Sequence, residues 1–164
     1  MASTSPTPTT ALYKGSCHCG FVTYTVELDF ANPAPEWHRA GATKCNCSIC
    51  HKAGYLLAEP AAEGSFTLLS PPEGEGALSD YAFGAGGVRH PFCPRCGVRC
   101  YIRGAIRFWG VEYPVMKVNI LTLDSRVDGK PMDDLRDVRI RYWNAGGEVK
   151  PGDPASEPFE GGAR

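Results

Sequence analysis

Eight cysteines fall into three tight clusters along 164 residues, and their spacing constrains this chain more than any other feature. The clusters are Cys17-His18-Cys19, then Cys45-Asn46-Cys47-Ser48-Ile49-Cys50, then Cys93-Pro94-Arg95-Cys96-Gly97 with Cys100 just beyond. Met1 to Thr10 is rich in Ser, Thr and Pro and has neither a basic start nor an apolar stretch, so it does not read as a signal peptide. The expected localisation is therefore cytoplasmic, where a reducing thiol pool does not let disulfides persist. Cysteines at short spacings in such a chain are read first as metal ligands.

A structural zinc ion takes four soft ligands in a tetrahedron, and two cysteines one to three residues apart can reach one ion from a single tight turn. Cys17 with Cys19 and Cys93 with Cys96 compose such a four-thiolate site, with Pro94 and Gly97 supplying turn chemistry around the second pair. The competing reading is a set of buried or redox-active thiols. Cys45, Cys47 and Cys50 are different, because three thiolates come from one short segment. Three protein ligands and an open position is the arrangement of catalytic zinc. A closed second site with Cys100 as the fourth ligand is the alternative. Otherwise Cys100 is a small buried hydrophobe on the apolar face of a strand.

The remaining composition narrows the partners. The net charge is −1 and no Lys/Arg run exceeds two residues, which gives no footprint for a nucleic acid. No basic amphipathic stretch points to a membrane surface. The expected partner is a small-molecule substrate. Gly and Pro number 19 and 14, favouring many turns and short strands over long helices.

Period-2 alternation predicts strands at 21–28 and 98–103, and 65–70, 115–123 and 138–143 are further strand candidates. Segments 78–83 and 88–92 flank Gly84-Ala85-Gly86-Gly87 and read as a hairpin. Residues 51–55 suit a short helical turn, Asn32 to Pro35 break the chain, and 104–114 read as an aromatic-rich loop. The expected organisation is a disordered lead-in over 1–12, a zinc-binding domain over 13–143 and a flexible Gly/Pro-rich tail over 144–164, in an all-β class.

Together the three motifs Gly15-Ser16-Cys17-His18-Cys19-Gly20, Cys45-Asn46-Cys47-Ser48-Ile49-Cys50-His51-Lys52 and Phe92-Cys93-Pro94-Arg95-Cys96-Gly97 resemble the glutathione-dependent formaldehyde-activating enzyme family, which also includes centromere protein V. The likeness runs from about Gly15 to Asp124, and the aromatic stretch with Phe108, Trp109 and Tyr113 looks closer to fungal-type members. The resemblance implies a mainly β fold of several short coiled antiparallel sheets around a zinc-ribbon-like core, of β-tent type, with little helix. It implies two zinc ions: a structural one on Cys17, Cys19, Cys93 and Cys96, and a second, labile one on Cys45, Cys47 and Cys50, which the three-ligand arrangement above reads as the catalytic one. The family's named activity joins glutathione to formaldehyde as S-hydroxymethylglutathione, so glutathione is the implied co-substrate.

The expectation is thus a carbon–sulfur lyase-like zinc enzyme, in which a zinc-activated thiol adds to an electrophilic small molecule. Zinc-bound water or Lewis-acid catalysis on a biosynthetic intermediate is the alternative within the enzyme class. A non-catalytic interaction module and a redox sensor are the rivals outside it. His51 is the candidate for moving a proton and Lys52 for pairing with a substrate carboxylate. Tyr55 and Trp109, with Tyr113, are candidate pocket walls. Arg99 and Arg103 are candidates for receiving an anionic group, while His18 and His90 carry no expected role.

Overall fold

A computed structural model describes residues 10–30, 41–145 and 158. The strands follow in the order β1 (Ala11–Ser16), β2 (Thr23–Leu28), β3 (Ala42–Cys45), β4 (Leu57–Ala58), β5 (Phe66–Ser70), β6 (Ser79–Tyr81), β7 (Val88–Phe92), β8 (Tyr101–Phe108), β9 (Val111–Asn119), β10 (Leu123–Arg126) and β11 (Ile140–Trp143). A single α-helix among the described residues, α1 (Ser48–Lys52), interrupts them after β3, and three short 3-10 turns complete the secondary structure. No helix among the described residues is long and apolar enough to cross a membrane.

The strands form two sheets. One runs β10-β1-β2-β5 and the other β11-β3-β4-β9-β8-β7-β6. The alternation in β2 does what its period requires: Tyr24, Val26 and Leu28 are buried while their neighbours are half-exposed. β1 presents Ala11 and Tyr13 to the same interior. Aromatic rings then bridge the two sheets. Tyr24 stacks on Phe66 at 5.4 Å, and Phe66 meets the Tyr101 ring of the second sheet at 4.8 Å. Each such buried side chain contributes about 1.5–3 kcal/mol. A smaller core holds Cys50, Tyr55, Leu57, Ile102 and Val115.

The mainly β expectation holds, with three refinements. The pairing is antiparallel except at one edge, where β11 runs parallel to β3. The segment 104–114 is not a loop. It is the outer half of the β8–β9 hairpin, paired without a break from Tyr101–Val118 to Phe108–Val111. Its two-residue turn is Trp109-Gly110, with φ of 48° and 79°. Both positive values are what a type I′ turn needs, but Trp in the first place hides the usual Asn-Gly or Asp-Gly signal. Residues 109–114 are exposed, so no one-sided burial pattern marks the strand. The stretch 115–123 is two strands rather than one. The Asn119 side chain accepts from the backbone N–H of Leu121 at 3.4 Å and turns the chain through a 3-10 turn before β10.

The expected lead-in over 1–12 ends earlier, because β1 begins at Ala11. Its pairing partners β2 and β10 lie elsewhere in the sequence. Residues 1–9, the Asn32–Pro35 break and the tail from 146 onward, Pro158 excepted, lie outside the described residues.

Gly15, on β1, is closely confined by β2 and by the 3-10 turn before β10. A methyl group there would come within 2.3 Å of the Tyr24 ring and 2.7 Å of the Thr122 carbonyl oxygen. The carbonyl belongs to the backbone and cannot rotate away. Gly15→Ala is expected to destabilise the protein by about 3 kcal/mol, the upper end for an overpacked core. Thermal unfolding followed by circular dichroism should show the midpoint fall by roughly 6–12 °C.

Candidate metal centre

The first cysteine pair sits in a turn that closes β1 onto the approach to β2. The Cys17 backbone N–H donates to the Val22 carbonyl at 2.9 Å, and the Val22 N–H donates to the Cys17 sulfur at 3.2 Å. The second pair repeats the device after β7, where the Cys93 N–H donates to the Val98 carbonyl at 3.0 Å. Each turn passes through a left-handed glycine, Gly20 at φ 75° and Gly97 at φ 76°. Gly97 donates its N–H back to the Cys93 carbonyl at 2.9 Å. The two turns face one another, and the Arg95 guanidinium of one lies 4.0 Å from the centre of the Phe21 ring of the other.

The consequence is that Cys17, Cys19, Cys93 and Cys96 place their four sulfurs within 4.8 Å of one another. The Cys17–Cys19 and Cys19–Cys93 sulfur separations are both 3.6 Å. Four thiolates about 2.3 Å from a common zinc would stand about 3.8 Å apart, so this donor set fits a tetrahedral ion. Burial pushes the Cys17 thiol up to about 12, although the Val22 N–H opposes it. At Cys96 burial also acts upward, but the N–H groups of Val98 and Cys19 and the neighbouring sulfurs outweigh it and hold that thiol near 6.

The second group is Cys45, Cys47 and Cys50, whose three sulfurs also lie within 4.8 Å of one another. Cys45 ends β3, Cys47 caps the N-terminus of α1, and Cys50 lies on the buried side of that helix. The Cys45 and Cys50 sulfurs, then the N–H groups of Cys50 and Ile49, favour thiolate at Cys47 and hold its pKa far below the usual thiol value. The same contacts with Cys45 and Cys47, together with burial, push Cys50 up. Three thiols this close titrate as a unit, and a shared cation is what lets all of them ionise.

The structure does not join Cys100 to this group. Among the described residues, the three-cysteine cluster has no fourth Cys, His or carboxylate ligand. Cys100 instead packs in the main core with Tyr24 and Cys17, where burial raises its thiol to about 12.

Profile matching assigns residues 12–137 to the family described as "Glutathione-dependent formaldehyde-activating enzyme". The chain belongs to that family. A crystal structure of a Rhodobacter sphaeroides protein shares 27% identity with this formaldehyde-activating family member, over 79% of this chain and 98% of its own, with a TM-score of 0.49. No curated protein matched the chain. The family is enzymatic, and its description names no fungal subgroup.

Of the other expected residues, His51, Lys52 and Tyr55 follow the second cluster in the chain and the rest lie elsewhere. His51 and Lys52 are exposed on α1, directly after Cys50. Tyr55 is buried beside Cys50, its N–H donating to the Cys50 carbonyl at 3.0 Å. Trp109 does not join it. That side chain is 80% exposed at the hairpin tip, five residues beyond the Gly104–Val115 rung, or roughly 16 Å along the strands. Tyr113 is also exposed, opposite Ile106 on the same hairpin. His18 is exposed between Cys17 and Cys19, and Arg103 pairs with Glu75 at the surface.

Two asparagines do more than their sequence signal announces. Asn46, between two of the sulfurs, donates to the Asn144 side chain at 2.8 Å and accepts from the Ala145 N–H at 2.8 Å, while its own N–H donates to the Trp143 carbonyl at 3.1 Å. The three-cysteine loop is thereby tied to the end of β11, at the point where the expected free tail was to begin. Asn119, buried, accepts from the Leu56 N–H at 3.2 Å and donates to the Arg99 carbonyl at 3.2 Å. The local sequence does not announce these long-range bonds, since their other halves lie far along the chain.

The two clusters differ in what depends on them. The first joins two distant turns around the core, whereas the second lies within one segment. Cys96→Ser is expected to give an unfolded or insoluble chain, because structural zinc of this kind contributes about 10–16 kcal/mol to folding. Cys47→Ser should give a folded protein with one metal ion fewer, as read by circular dichroism and metal analysis. Asn46→Ala should likewise lower the metal content of the second site alone, with slower exchange protection lost at the amides of β11 and its neighbour β3.

Proposed function

We propose that this protein is a zinc enzyme that joins a thiol, glutathione or a close relative, to a small electrophilic carbonyl compound such as formaldehyde. The observation that carries the reading is the three-sulfur cluster of Cys45, Cys47 and Cys50, half-exposed at two of its members and without a fourth ligand among the described residues. Family membership supports the same reaction class.

Cys45, Cys47 and Cys50 would hold the ion. A zinc ion held by these three sulfurs would lower the pKa of a thiol bound to it, so that thiolate would prevail near neutral pH. Asn46 keeps the loop in place through its bonds to Asn144 and Ala145. The buried faces of Tyr55, Leu57, Ile102 and Val115 close the cluster from behind and exclude water on that side. In this reading His51, exposed one residue after Cys50, takes the thiol proton and returns it. In the addition the sulfur lone pair forms the carbon–sulfur bond, the carbonyl π pair moves to oxygen, and that oxygen receives the proton. The reverse sequence is the lyase direction.

Native mass spectrometry of freshly purified protein, with and without glutathione, tests the reading. The expected result is two zinc ions per chain and a glutathione mass increment that disappears in Cys47→Ser. The same variant should lose the acceleration of S-hydroxymethylglutathione formation over the uncatalysed rate. Two zinc ions indifferent to any thiol would sink the proposal, and a metal-free cluster that oxidises reversibly would favour a redox sensor.

A further inference from the structure

Two apolar surfaces lead away from the three-cysteine centre, and both come out into solvent. The first is one face of the β8–β9 hairpin. Residues opposite one another on paired strands point to the same side, and the side changes at every residue. The rungs Ile102–Lys117, Gly104–Val115 and Ile106–Tyr113 therefore share a face, and Val111, two residues beyond Tyr113, continues it. At its inner end Ile102 and Val115 are buried in one cluster with Cys50. One step of two residues outward, about 7 Å along the strands, Ile106 and Tyr113 are exposed, and so is Val111 beyond them. The charged residues of the outer hairpin lie on its other face. Between residues 105 and 114 they are Arg107 and Glu112, which stand opposite each other and pair at 3.7 Å. A strand pair that met only water on both sides would gain nothing by keeping one of them apolar.

The second surface is a stack of rings. Tyr55, whose N–H donates to the Cys50 carbonyl at 3.0 Å, stacks on His90 at 5.9 Å. His90 stacks on Phe83 at 5.8 Å, and Phe83 on Tyr81 at 5.9 Å. The inner two rings are buried, whereas Phe83 and Tyr81 are 52% and 46% exposed. Val88 links the two surfaces. It pairs with Gly104 of the hairpin, lies two residues before His90 on β7, and packs against the same cluster as Cys50. The five exposed side chains offer on the order of 400 Å², about half of what each partner contributes to a stable protein interface. That is too little to hold a second copy of the chain and ample for the carbon chain or ring of a small molecule.

We propose that this surface receives the apolar part of the electrophile, so that the carbonyl compound handled at the three-cysteine centre carries an alkyl chain or an aromatic ring. The inference rests on the thiol reading above and narrows its second substrate to apolar aldehydes and their kin, favoured over formaldehyde itself. Ile106, Val111 and Phe83 are specificity-determining residues: they cover the chain or ring and touch none of the reacting atoms.

Calorimetric titration of the zinc-loaded protein with S-methylglutathione and S-hexylglutathione tests this. Both ligands keep the peptide and the carbon–sulfur bond of a product, and they differ only in methylene groups. The wild type is expected to prefer the hexyl compound by about thirtyfold, from five methylenes each half removed from water. Ile106→Ser should lower the preference to about tenfold, with the zinc content and the affinity for the methyl compound unchanged. Phe83→Ser, on the other flank, should act in the same way and serves as the second variant should Ile106→Ser fold poorly. Arg107→Gln, on the opposite face of the hairpin, should leave the preference intact. Methyl and hexyl compounds binding alike, or a preference that survives both serine variants, would overturn the inference and leave the thiol reading standing. A wild type that sediments as a dimer, and that Val111→Ser turns into a monomer, would assign the face to a second copy and overturn it as well. Failure of both compounds to bind the wild type would overturn the thiol reading and this inference together.

Discussion

The meeting of two cysteine turns is the contact on which the rest of the architecture hangs. Cys19 and Cys93 are 74 positions apart, yet their sulfurs stand 3.6 Å from one another. One turn ends β1 of the smaller sheet and the other ends β7 of the larger, so their junction joins the two sheets as well as two stretches of chain. Closing a loop of that length is entropically costly in an unfolded chain, and a shared ion offsets it at a single point. The stack of Tyr24, Phe66 and Tyr101 then fills the space between the sheets, with Arg95 over Phe21 covering the outside of the junction.

The second cluster depends on the first only indirectly. Its three sulfurs come from one stretch of six residues, so local turn geometry already brings them together. What the tertiary fold adds is their surroundings. The parallel pairing of β11 with β3 fixes one side through Asn46, and the β8–β9 hairpin contributes Ile102 and Val115 to the other. The result is a cluster with a buried, apolar back and a half-exposed front, followed on α1 by the exposed His51 and Lys52.

Legibility varied with the range of the interactions involved. The strand at β2 was readable because one of its faces is buried along its whole length, so the period of two appears in the residues themselves. The outer β8–β9 hairpin was not, because its exposed end shows no such period and its turn carries Trp109 where a small polar residue is usual. β4, only two residues long, exists because β3 and β9 lie on either side of it. The placement of Trp109 away from Tyr55 follows from the same hairpin: a strand of that length carries its tip well clear of the core.

The sequence by itself determined the cysteine clusters. Cysteine spacing within each cluster is a local property, so the three motifs, and through them the family, could be read along the chain. Tertiary structure alone decided that the first and third clusters meet, and which groups surround each of them. Asn46 acquires its role from Asn144 and Ala145, and Cys100 from the core that encloses it. Each of these depends on a contact between segments distant in the chain, and no local pattern encodes a contact whose other half lies elsewhere.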